Sequence, residues 1–180
     1  MLGAIVGDIV DSVYEFNNTK DYNFHMVTPR SRFTDDTVMT LAVAEWLTED
    51  KTHSESYLIK CMQELGRKYP NVGYGGTFRR WLYRKNPKTY NSWGNGSAMR
   101  VSPVGYFAHN LGETMELAKT SAEVTHHHPE GIKGAQAIAS AIYLARQGKA
   151  KKDIQQYVSD TFDYDLNRTI DLIRPAYTFD

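Results

Sequence analysis

The sequence predicts an all-α protein, a compact multi-helix bundle with its functional loops gathered on one face. Three observations carry that expectation. Apolar residues recur at i, i+3, i+4 and i+7 along most of the chain, the signature of helices with one buried stripe. Sustained period-two alternation, which a half-buried strand would show, appears nowhere. The unusual residues, clustered glycines, acids and histidines, fall between the periodic runs, where loops belong. With 180 residues, 41% of them hydrophobic, and no linker-like stretch, the chain is expected to form one domain over residues 1–180, of roughly six to eight helices.

The first element follows from Leu2, Ile5, Val6, Ile9, Val10 and Val13, which make one apolar stripe. Asp8, Ser12 and Glu15, at i, i+4 and i+7, put two carboxylates and a hydroxyl on the opposite stripe. Charged stripes of this kind are mostly solvated faces. Gly3 and Gly7, each costing about 1 kcal/mol inside a helix, point instead to a close backbone approach.

A second helix is expected from Val38, Leu41, Ala42 and Trp46, with Arg32-Phe33-Thr34-Asp35-Asp36-Thr37 at its amino terminus. One side-chain oxygen suffices to cap a helix. Four consecutive oxygen-bearing side chains also suit a hard divalent cation, and the two readings balance on these residues alone. Leu58, Cys61, Met62 and Leu65 mark a further helix in which Cys61, the single cysteine, is a small buried hydrophobe rather than a nucleophile or disulfide partner.

Two glycine-rich loops follow, Gly73-Tyr74-Gly75-Gly76 and Gly94-Asn95-Gly96-Ser97. The second leads through Ala98-Met99-Arg100 into a helix whose free N–H groups could hold a phosphate, though plain turns are the commoner meaning of such glycines. Met115, Ala118 and Ala122 continue the helical pattern. Pro129-Glu130 starts another helix, through Ile132, Ala135, Ile138, Ala139 and Ile142, that Gly148 ends. Ile154, Tyr157 and Val158 mark the next. Among the consecutive histidines His126, His127 and His128, neighbouring side chains diverge and zinc spacing is absent, so one of them lining a pocket is favoured over a metal cluster.

Twenty-one basic residues balance twenty-one acidic ones, so no net positive field exists to hold nucleic acid. The amino terminus lacks a basic n-region, and no run approaches the ~20 apolar residues of a membrane span. A cytoplasmic location is the expectation, with neither nucleic acid nor membrane as partner.

Taken in order, these pieces resemble the ADP-ribosylglycohydrolase family. Gly3-Ala4-Ile5-Val6-Gly7-Asp8 through Tyr14-Glu15 is similar to the family's opening helix, apart from Asp11 where glycine is frequent. Phe33-Thr34-Asp35-Asp36-Thr37 resembles its metal motif, and Gly73-Tyr74-Gly75 a substrate loop. Gly94 to Arg100 and Thr125-His126 with Gly131 and Gly134-Ala135 complete the series. The resemblance implies a metal-dependent hydrolase that cleaves the bond between ADP-ribose and an acceptor, either a modified protein side chain or a small molecule. It implies two Mg²⁺ or Mn²⁺ ions in the intact family site, with Thr34, Asp35 and Asp36 as ligands here. Glu15, Asp35 and Asp36 would be catalytic. Tyr74, Gly75, Asn95, Gly96, Ser97, Met99 and His126 would hold the ADP-ribose. The family's carboxy-terminal Gly-Gly-Asp-x-Asp-Thr segment is not matched by the late acids Asp160, Asp163, Asp165, Asp171 and Asp180, so a carboxy-terminally truncated bundle is expected. The same departure supports the alternative of a non-catalytic ADP-ribose binder or a structural, crystallin-like member.

Overall fold

The computed structural model describes residues 1–178; Asp180 lies outside the described residues. Among the described residues ten helical segments follow one another: α1 (Leu2–Asp11), α2 (Asp35–Glu49), α3 (Glu55–Lys68), α4 (Gly76–Leu82), α5 (Gly96–Met99), α6 (Ser102–Phe107), α7 (Leu111–Glu123), α8 (Pro129–Arg146), α9 (Lys151–Phe162) and α10 (Ile170–Ile173). No strand occurs among the described residues. The number exceeds the expected one because α5 and α10 are single turns of four residues, too short to show a periodicity.

Local chemistry sets most boundaries. Thr34 caps α2 by accepting from the Asp36 N–H at 3.4 Å, Ser54 caps α3 and Asn110 caps α7. Proline occupies the first turn of α8, His128 caps it, and Gly148 follows its end at φ 75°, a left-handed conformation that glycine adopts without strain. The main core is built where α2 and α3 meet α5 to α8, around fully buried Met39, Trp46, Leu58, Met62, Leu82, Val101 and Val104. Each large apolar side chain so buried contributes about 1.5–3 kcal/mol. Cys61 is 1% exposed in this core, and burial pushes its thiol up to about 11, so it is inert as the pattern implied. A smaller cluster of Ala137, Val158 and Phe162 ties α9 to α8.

Helix α1 departs from the usual amphipathic arrangement. Its buried residue is Asp8, whereas Leu2 is 78% and Val6 55% exposed. The polar stripe is therefore packed at Asp8 and Ser12 and exposed at Glu15, while Ile5, Ile9, Val10 and Val13 are half-buried. A Cβ added at Gly3 or Gly7 would meet nothing within 4 Å among the described residues, so no described element makes the close backbone approach there.

What fastens α1 is the Asp8 carboxylate. It accepts from the Thr34 N–H at 2.8 Å, the Thr34 hydroxyl at 2.5 Å, the Thr37 N–H at 3.2 Å and the Thr37 hydroxyl. An anion thus sits on the free amides at the start of α2, where the helix dipole favours it. Ser12 adds a second tie by accepting from the Arg32 N–H at 3.1 Å.

Candidate active site

The acids near both ends of the 12–36 connection converge. Glu15, Asp35 and Asp36 line one cleft of about 540 Å³ together with Gly73, Gly75, Asn95, Gly96, Met99, Arg100 and His126. Asp35 and Asp36 are carried there by the first turn of α2, which the Asp8 clasp holds in place. The Asp35 N–H donates to the Val72 carbonyl at 2.9 Å, and a Cβ on Gly73 would stand 3.2 Å from Asp35 Oδ1, so this glycine lets the second wall approach. Phe78 and Tyr90 supply aromatic wall and Met39 an aliphatic one.

The electrostatics of the cleft are those of crowded acids. Burial pushes Asp36 up to about 6, helped by repulsion from Asp35, Asp8, Glu15 and Asp11. Asp35 is likewise raised to about 6, by burial first and then by Glu15 and Asp8, against a lowering from its own backbone hydrogen bond. Glu15 is raised by burial, Asp11 and Asp8, with Arg32 opposing. Among the described residues no ion pair involves Asp35 or Asp36.

On the far wall stands a cation without an acid. Arg100 is 1% exposed. Its Nη2 donates to the Ser121 carbonyl at 2.6 Å and to Thr125 Oγ1 at 2.9 Å, while its Nε finds no partner. Burial lowers the Arg100 guanidinium to about 10, still charged at neutral pH. Burial and then Arg100 lower His126 to about 3, so that imidazole is neutral. A second cavity of about 580 Å³ lies between Val10, Tyr14, Tyr22 and Phe24 on one side and Ile170, Ile173 and Arg174 on the other. Its walls are mostly apolar and lack the gathered acids, so the chemistry points to the first cleft.

Residues 1–176 match the ADP-ribosylglycohydrolase family model. The chain belongs to that family. It is 29% identical over 186 residues to the ADP-ribosylhydrolase ARH3 of Homo sapiens, covering 85% of this chain and 50% of that protein. It is 30% identical over 151 residues to the ADP-ribosylhydrolase ARH3 of Gallus gallus, covering 75% and 41%. To the ADP-ribosylarginine hydrolase Tri1 of Pseudomonas putida it is 26% identical over 179 residues, covering 85% and 47%. The chain spans about half the length of the curated relatives it matches.

For an ADP-ribosylglycohydrolase, the structure sorts the residues singled out in the sequence into two groups. Glu15, Asp35, Asp36, Gly75, Asn95, Gly96, Met99 and His126 face the common cleft. Thr34, Tyr74 and Ser97 do not line it, and Thr34 is buried at the start of α2. Tyr74 is 8% exposed within the main core, its hydroxyl sealed without a hydrogen-bond partner. The Ser97 hydroxyl donates to the Gly131 carbonyl at 2.7 Å. The segment after Asn95, for which the sequence favours a plain turn over a helix start able to hold a phosphate, forms the single helical turn α5.

The family implies divalent metal, and the residues fit it in part. Two half-buried carboxylates crowded by neighbouring acids form a hard-oxygen site in which a cation would relieve the repulsion that, after burial, raises both. The Thr34 hydroxyl donates to Asp8 and accepts from the Asp36 N–H, which leaves it one lone pair for a ligand role. Among the described residues, no three of His, Cys, Asp and Glu stand together as a ready-made cage. Reading the sequence alone missed Asp8 as the clasp of α2, and it missed Arg100 and Thr125 behind His126. A lone arginine inside Ala98-Met99-Arg100-Val101-Ser102-Pro103-Val104 was the available signal.

Proposed function

We propose that the cleft binds the ADP-ribose unit of a modified protein side chain or of an ADP-ribose-containing small molecule, and that hydrolysis frees it from its acceptor, with Mg²⁺ or Mn²⁺ held at Asp35 and Asp36 and assisted by Thr34. The observation that carries this reading is the convergence of Glu15, Asp35 and Asp36 on one cleft, with no ion pair to the two aspartates among the described residues. The relatives named for hydrolysis of ADP-ribosyl groups favour it. Cleavage at the anomeric carbon passes through an oxocarbenium-like state, whose positive charge nearby carboxylates stabilise. Glu15, held above the ordinary glutamate range, is suited to carry a proton beside the leaving group or a water. A bound cation would polarise water and ribose hydroxyls. Phe78, Tyr90 and Met39 offer apolar walls for a flat base, and the Gly75 and Gly96 backbones leave room for the sugar and phosphates.

Incubating the protein with an ADP-ribosylated protein and Mg²⁺ tests this. Release that requires the cation and disappears in Asp35→Ala is expected; absence of both release and ADP-ribose binding would overturn it. A second reading, a binder without catalysis, is favoured by the lack of a three-residue metal cage among the described residues. It is distinguished by calorimetry, as tight ADP-ribose binding without metal and without release.

A further inference from the structure

We propose that Arg100 and Thr125 are positioning residues that fix His126 as its Nε2–H tautomer, so that the ring offers the cleft a permanent, uncharged hydrogen-bond donor for an acceptor oxygen of the ligand. The logic is a proton count. Arg100 has donors only, and its Nη2 points one at Thr125 Oγ1, 2.9 Å away, which must therefore accept. Thr125 is fully buried, and among the described residues the one other partner of its hydroxyl is His126 Nδ1 at 2.8 Å. Were Nδ1 protonated, the Thr125 hydroxyl hydrogen would be sealed in without an acceptor, leaving a buried donor with its full desolvation penalty. Nδ1 therefore accepts from Thr125, and the single proton of the neutral ring resides on Nε2.

Nε2 has the position a ligand contact needs. It makes no hydrogen bond among the described residues, yet it is not one of the sealed polar atoms, so it opens to the cleft that His126 lines. Two glycines hold the ring in place: a Cβ on Gly96 would stand 2.9 Å from Cε1 and 3.0 Å from Nε2, and one on Gly131 would stand 3.0 Å from the His126 Cβ. The ring is thus oriented from behind by the Thr125 hydrogen bond, with the bare Gly96 backbone close against its Cε1–Nε2 edge. Because Arg100 stands behind it, a second proton on the ring would face a buried like charge. The naming of ADP-ribose as the ligand rests on the function proposed above; the tautomer does not.

Long-range ¹⁵N–¹H spectra of the whole chain read the tautomer directly, with His126→Gln identifying the resonance among the six histidines. The expected spectrum has His126 Nδ1 unprotonated and Nε2 protonated, unchanged between about pH 5 and pH 8. Thr125→Val should yield mixed tautomers and weaken ADP-ribose binding about tenfold, whereas Thr125→Ser should preserve both properties. A protonated Nδ1 in the wild type overturns the proposal even if Thr125→Val fails to fold, and so does a pure Nε2–H ring in a folded Thr125→Val protein. A wild type with the expected tautomer but no affinity for ADP-ribose would leave the relay standing and sink the hydrolase reading instead.

Discussion

Between about pH 4 and pH 6, Asp35 and Asp36 hold protons in the folded chain that an unfolded chain would release. Both titrate near 6, above the ordinary value of about 4. Between those values the folded state binds more protons than the unfolded one, so their contribution to stability falls as pH rises through that window and is constant above it. The melting temperature of the protein without metal, minus that of Asp35→Asn/Asp36→Asn, should therefore drop from about pH 4 to about pH 6. Millimolar Mg²⁺ at neutral pH should raise the wild type and not the variant; a difference flat with pH would show that the two acids are not crowded. Tyr74 makes the opposite kind of case. Its sealed, unpartnered hydroxyl contributes nothing to the core, so Tyr74→Phe should leave ADP-ribose affinity unchanged and raise stability by up to about 1 kcal/mol in urea titrations. A loss of affinity in that variant would put the phenol back at the ligand.

At the level of elements, α1 and the α6–α8 contact are held by different forces. Asp8→Ala would strand four donors of Thr34 and Thr37 and free the start of α2. A loss of about 3 kcal/mol is expected, with hydrogen-exchange protection falling in α1 while α3 and α8 keep theirs. Where α6 crosses α8, a Cβ on Gly105 would stand 2.7 Å from the Ala139 carbonyl oxygen and 2.7 Å from the Ile142 Cβ. Because one neighbour is backbone, Gly105→Ala should cost about 1–3 kcal/mol, read as a lower denaturation midpoint with an unchanged slope. The sequence states the longer helices openly: a proline and a glycine bracket α8, and threonine before two aspartates starts α2, because these signals act within one turn. The facing of α1 is not legible in that way. Periodicity defines its two stripes, but the choice between them is made by donors 26 and 29 residues away. Within the site the same boundary holds. The acids and glycines announce themselves by type, whereas the inward turn of Tyr74 and the tie between Ser97 and the Gly131 carbonyl depend on partners that no local pattern encodes.

For the molecule as a whole, charge and surface set different behaviours. The formal charges cancel, with an isoelectric point near 7.0, and the mean hydropathy is −0.52. Averages of that kind describe an ordinary polar surface, and among the described residues no helix is long and apolar enough to cross a membrane. They conceal where the oil is. Because α1 is fastened through a carboxylate and turns Leu2 and Val6 outward, this helix adds to an apolar exposure that Phe16, Val27 and Trp93 share. On a phenyl-agarose column in ammonium sulfate, the chain should elute later than its average polarity implies, and Leu2→Lys/Val6→Lys should elute markedly earlier with an unchanged circular dichroism spectrum. Equal retention of the two would mean that the helix does not wear its greasy side outward in solution.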